Sequence, residues 1–201
     1  MEHVGSAYVF INFEQAMTFG HIGWGFFVEQ NKYFFGSTDH LWNREYPMWD
    51  PGELCRYMDV EPGKNNDYWS AFGTEEDMLQ TMRSGSHVRY HAYKRLPVLQ
   101  PDPAAAVMFA ETVKDIGWNV AQNNCVHQTN AVLTRYGGMI LPNAHTPLNR
   151  MPRKWFGEIE AEETILQPRV RNILPPILRT QRKRASQSAT FSEGEYLELS
   201  S

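Results

Sequence analysis

A cysteine at the start of a helix, an imidazole, and a hydroxyl or carboxylate to orient that imidazole are together enough for acyl-transfer chemistry. The chain offers a candidate for each. Cys125 stands in Val120-Ala-Gln-Asn-Asn-Cys-Val-His-Gln-Thr-Asn-Ala-Val-Leu-Thr-Arg-Tyr136, followed by Gly137 and Gly138. Asn123 and Asn124 are both good N-cap types, because a short side-chain oxygen can accept an orphan amide of the first turn. Val126, Thr129, Ala131, Val132, Leu133 and Tyr136 give the segment a mostly apolar helical side. The two glycines are expected to end the helix in a left-handed cap. A thiol in the first turn would face unpaired amides and the positive end of the helix dipole, and both favour thiolate over thiol. The plainer reading of a single cysteine is a small buried apolar residue.

The imidazole candidate is His21, in Gly20-His-Ile-Gly-Trp-Gly-Phe-Phe-Val28. In a strand His21, Gly23 and Gly25 share one face, while Ile22, Trp24 and Phe26 share the other. The apolar face belongs to the core. The His-Gly-Gly face leaves room for another backbone, a helix end or a substrate. His127 lies two residues beyond Cys125, about 200° around the helix, and is read as structural. His87 and His91 are read as lying on a solvated strand face.

These residues need elements to hold them. Ala7–Phe13 is a short apolar, β-branched and aromatic run that reads as a buried strand. His21–Val28, the turn-like Glu29–Lys32 and Tyr33–Ser37 read as strand, turn, strand. Residues 39–86 read as an irregular insertion with one short helix over Thr74–Met82, capped by Thr74 and acidic in its first turn. His87–Arg95 alternates like a further strand, and Leu96–Pro103 reads as a linker. Asp102-Pro103 opens a helix running to Ile116, with Val107, Met108, Ala110, Val113 and Ile116 as its expected core positions. Trp155–Glu163 reads as a last short element.

Composition bounds the rest. The chain has 201 residues, 42% of them hydrophobic and 13% aromatic, enough for one domain with a core. The expected domain is 1–166, followed by a basic and then Ser/Glu-rich tail, 167–201, with disorder expected from about 178. A formal net charge of −4 and a pI near 6.0 argue against nucleic acid as a partner. The tail arginines suggest weak contact with an anionic surface at most. Cys55 and Cys125 have no metal-ligand spacing and make no disulfide framework. No secretory signal and no apolar run of ~20 residues is visible, so the default compartment is the cytoplasm, with delivery by a dedicated secretion machine left open.

Asn124-Cys-Val-His127 and the helix ending Leu133-Thr-Arg-Tyr-Gly137, preceded about a hundred residues earlier by the His21 strand, resemble the lecithin:retinol acyltransferase family. That family is a circularly permuted branch of the NlpC-type papain-like thiol hydrolases. The resemblance covers roughly 7–37 and 104–140. It implies an α+β papain-like fold in which the Cys125 helix packs on an antiparallel sheet. It also implies Cys125 as nucleophile and His21 as general base and acid. In the family the next strand carries a second His that orients the first. Tyr33–Ser37 has none, which leaves Ser37, Asp39 or His40 as third member. Val126 stands where the family has an acid. First-turn amides, with Asn124 as cap or donor, would stabilise the oxyanion.

The expected function is a cysteine-dependent hydrolase or acyltransferase cleaving an amide or ester, with a peptide or isopeptide amide as the favoured substrate and no cofactor. Two alternatives stand beside it. One is a catalytically inactive binding module on the same fold. The other is a redox or structural protein in which Cys55 and Cys125 pair.

Overall fold

The computed structural model describes residues 4–15, 19–39, 59–64, 67–84 and 90–167. All belong to the first of two units, Met1–Arg169; the second is Val170–Ser201. Cys55, His40, His87 and the tail lie outside the described residues. The fold is α+β. Six strands form an antiparallel sheet in the order β5-β3-β2-β1-β6-β8: β1 (Val4–Asn12), β2 (His21–Glu29), β3 (Lys32–Thr38), β5 (Tyr68–Gly73), β6 (Ala92–Leu99) and β8 (Glu163–Ile165). A two-stranded ribbon joins β4 (Asp59–Val60) to β7 (Trp118–Asn119). The helices are α1 (Glu75–Ser84), α2 (Pro103–Thr112), α3 (Cys125–Tyr136) and α4 (Pro152–Glu158). Among the described residues no helix is long and apolar enough to cross a membrane.

The central strands are buried on both faces, which explains why they read as near-continuous apolar runs. On β1, Ala7, Val9 and Ile11 join one core, and Tyr8 and Phe10 join another. The first core contains Ile22, Trp24 and Phe26 of β2 and receives α2, α3 and α4 through Ala106, Ala110, Val126, Val132, Leu133, Tyr136, Trp155 and Phe156. The second contains Tyr33, Phe35 and Tyr90 and receives α1 through Met78 and Met82. Helix α1 is latched to the sheet by Glu75, whose carboxylate accepts from the hydroxyls of Tyr8 and Tyr33.

Several expectations need correcting. The stretch read as irregular holds strand β5, whose Tyr68-Trp-Ser-Ala-Phe72 is aromatic enough to favour a pleated, half-buried surface. Strand β6 begins at Ala92 and runs through the segment read as a linker. Pro97 pairs opposite Ser6 there, and the strand continues to Leu99. On α2 the buried positions are Ala106 and Ala110, continued by Val113, the i, i+4, i+7 stripe. Met108 and Ile116 are instead 73% and 43% exposed. His91 is buried rather than solvated, and its Nδ1 accepts the Phe13 amide at 3.1 Å. Gly137 is extended (φ 169°) rather than left-handed. Its need is for space, because a Cβ there would sit 2.3 Å from Val98 Cγ1.

Candidate active site

Helix α3 starts at Cys125 because Asn124 caps it. The Asn124 carbonyl oxygen Oδ1 accepts from the amides of Val126 (2.9 Å) and His127 (3.4 Å). The Asn124 amide donates to His127 Nδ1 at 3.3 Å, closing a capping box in which histidine takes the place usually held by Glu or Gln. The Asn124 carboxamide N–H groups donate to the carbonyls of Val120 and Arg150, each at 3.0 Å. Asn124 is therefore committed to the cap.

Helix α3 is also tied to the sheet next to the thiol. Thr38, the last residue of β3, donates its hydroxyl to Gln128 Oε1 at 2.7 Å. Gln128 Nε2 in turn donates to the Gly117 carbonyl at 3.1 Å.

His21 opens β2 and is 5% exposed; Cys125 is 6% exposed. Cys125 is near enough to the imidazole to raise its pKa. The ring is held at Nε2, which is 2.8 Å from Ser37 Oγ and 2.9 Å from Asp39 Oδ1. Ser37 donates onward to the Ile22 carbonyl at 3.2 Å, so its oxygen can accept from His21. Asp39 Oδ2 accepts from the indole N–H of Trp69, and the Tyr90 hydroxyl reaches Oδ1 at 3.3 Å. The Tyr90 ring lies alongside the imidazole, with centroids 5.9 Å apart.

Burial alone would push His21 toward the neutral form. The neighbouring Cys125 and the hydrogen bond and charge of Asp39 outweigh it, so His21 is held above its ordinary value. Asp39 is the mirror case. Burial would raise it, but the hydrogen bond and charge from His21, with the indole donor of Trp69, hold it below the usual carboxylate range. Burial and the Asp39 charge push the Tyr90 phenol well up, so it stays a donor. His127 is pulled down to about 4 by burial and by the neighbouring His145 and Arg150, and it stays neutral.

The structure thus brings together Cys125, His21, Ser37 and Asp39 from helix α3, strand β2 and the end of β3. The His-Gly-Gly face of β2 is not open. A Cβ on Gly23 would sit 2.6 Å from the Tyr90 hydroxyl, and Met78 fills the space beside Gly25. Trp69, Tyr90 and Gln128 were not singled out from the sequence as site residues. The aromatic content of 68–72, with Tyr68, Trp69 and Phe72, is the one signal that could have pointed to Trp69. Among the described residues no group of three or more His, Cys, Asp or Glu is set to hold a metal. Two open clefts elsewhere, one beside Tyr33 and Arg95 and one beside Glu75 and Arg83, contain neither a thiol nor an imidazole.

Comparison with known proteins finds no matching family model, no matching curated protein and no matching solved structure.

Proposed function

We propose that the chain is a cysteine-dependent hydrolase or acyltransferase that cleaves an amide or ester through a thioester, on a permuted papain-like arrangement. The observation that carries this is the chain of contacts Cys125–His21–Asp39, with the thiol on the first residue of a capped helix. Support for the family reading comes from the order of parts: a His-bearing strand first, then a cysteine helix packed on the same antiparallel sheet. A peptide or isopeptide amide is the favoured substrate, since nothing in the sequence points to lipid.

In the first half-reaction the Cys125 thiolate attacks the carbonyl carbon and the C–S bond forms. The oxygen becomes an oxyanion, and a backbone amide of the first turn of α3 would donate to it; losing such a donor typically costs on the order of a hundredfold in rate. The His21 imidazolium gives its proton to the leaving amine or alcohol as the C–N or C–O bond breaks. In the second half, neutral His21 takes a proton from water or an acceptor nucleophile, which displaces the thiolate from the thioester. Asp39 fixes the tautomer and balances the imidazolium charge.

Mass spectrometry after one equivalent of iodoacetamide at neutral pH tests this reading. Selective labelling of Cys125 in the wild type, lost in His21→Ala, is the expected result. Equal labelling of Cys55 and Cys125 that His21→Ala leaves unchanged would overturn it. The second reading, a binding module with an unused thiol, is favoured by the burial of Cys125. It predicts no labelling of the folded chain.

A further inference from the structure

We propose that Trp69 is a positioning residue: its indole N–H fixes the rotation of the Asp39 carboxylate and, through it, the orientation of His21 toward the thiol. This rests on the thiol–imidazole reading above and extends the site to a fourth member from a different strand. Trp69 lies on β5 directly across from Ser37 of β3, so the strand register delivers it to the site. Its Nε1 donates to Asp39 Oδ2, which leaves Oδ1 for His21 Nε2 at 2.9 Å.

Asp39 needs such a partner. It follows the last residue of β3, and the terminal torsion of a carboxylate has a broad, two-fold preference that does not choose an oxygen by itself. A carboxylate free to turn would offer His21 either oxygen at varying angles, and hydrogen bonds weaken steeply as they bend. The indole is itself held. Its strand is paired along β3, and its ring packs edge-on against Phe35, with centroids 6.2 Å apart and planes at 78°. The Tyr90 hydroxyl approaches Oδ1, so it braces the oxygen that His21 uses while Trp69 occupies the other. The donor that sets the rotation is therefore Trp69.

If Trp69 acts through Asp39, its loss matters only while Asp39 is present. The test is a double-mutant cycle of wild type, Trp69→Phe, Asp39→Ala and the pair, reading the second-order rate of Cys125 labelling by iodoacetamide at pH 7 on full-length protein. Phe keeps an aromatic ring and removes the N–H. We expect Trp69→Phe to slow labelling about fivefold or more in the wild-type background and to change it less than twofold in the Asp39→Ala background. The same factor in both backgrounds, or no effect in either, overturns the proposal. Should a variant fail to fold, as judged by circular dichroism, a tryptophan analogue with sulfur in place of the indole N–H, placed at position 69 alone, keeps the shape. Labelling equal to wild type with that analogue overturns the proposal; slowing comparable to Trp69→Phe supports it. Wild-type labelling no faster than His21→Ala removes the thiol–imidazole reading and the Trp69 role with it. Fast wild-type labelling with additive losses removes the Trp69 role alone.

Discussion

At His21 burial pulls toward the neutral form, and the neighbouring Cys125 and Asp39 outweigh it. Asp39 gains from the same arrangement, and its effect on stability has a definite sign. Its folded-state value lies below the ordinary 3.8. The stability it contributes is therefore present above that pH and is lost as pH falls through the lowered value. Denaturant unfolding of wild type and Asp39→Asn from pH 6 to pH 2 should show a gap that narrows with acidity; a gap independent of pH would contradict the assignment. Cys125, His21 and Asn124 could be read from the sequence because their cues are local: a cap preference, and alternation beside glycines. The sequence could narrow the third member only to Ser37, Asp39 or His40. In the structure Ser37 and Asp39 both reach His21 Nε2, and the Trp69 and Tyr90 donors on Asp39 come from distant segments.

The helix carrying the thiol is set by its cap. His127 stays neutral in the fold, near a value of 4, whereas an unfolded His takes a proton near 6.5. The unfolded chain therefore binds more protons between these values, and stability falls as pH drops from about 6.5 toward 4. Gln at N3 can close the same box. His127→Gln should match wild type at pH 7 within about 1 kcal/mol and lose part of this acid sensitivity, as read by melting temperature against pH. An unchanged pH slope would show that His127 is not its source. The end of the helix gives a paired prediction. Gly137→Ala drives a Cβ into Val98 and should cost about 1–3 kcal/mol, while Gly138→Ala meets nothing within 4 Å and should be near neutral. Equal losses at the two positions would point back to a left-handed cap. The extended conformation of Gly137 was not legible because the constraint comes from β6, far away in the chain. The α2 face was read correctly at Ala110 and Val113 and misjudged at Met108 and Ile116: several spacings through its apolar residues look helical, and only the packed partner adds Ala106.

Across the whole molecule, a sheet buried on both faces carries the cysteine helix against one side and α1 against the other. The strand–turn–strand pattern was legible because apolar and aromatic runs flank the turn-like Glu29–Lys32, whereas the packing of the helix on the sheet was expected from the family resemblance. Strand β5 was not, since it sits among turn-rich segments and earns its place only by pairing with β3. The β3–β5 pairing then brings Trp69 to Asp39, and the segment before β6 brings Tyr90. The central claim is that Cys125 and His21 act as one coupled pair. The most direct measurement is the iodoacetamide labelling rate of Cys125 against pH for wild type and His21→Ala. With His21 held above its ordinary value, its positive charge persists beside the sulfur at neutral pH. The account predicts that wild-type labelling is already fast at pH 7, that His21→Ala slows it about tenfold or more there, and that the variant's rate rises only at higher pH. Two superimposable curves would mean that His21 does not act on Cys125, and the catalytic reading would fall with them.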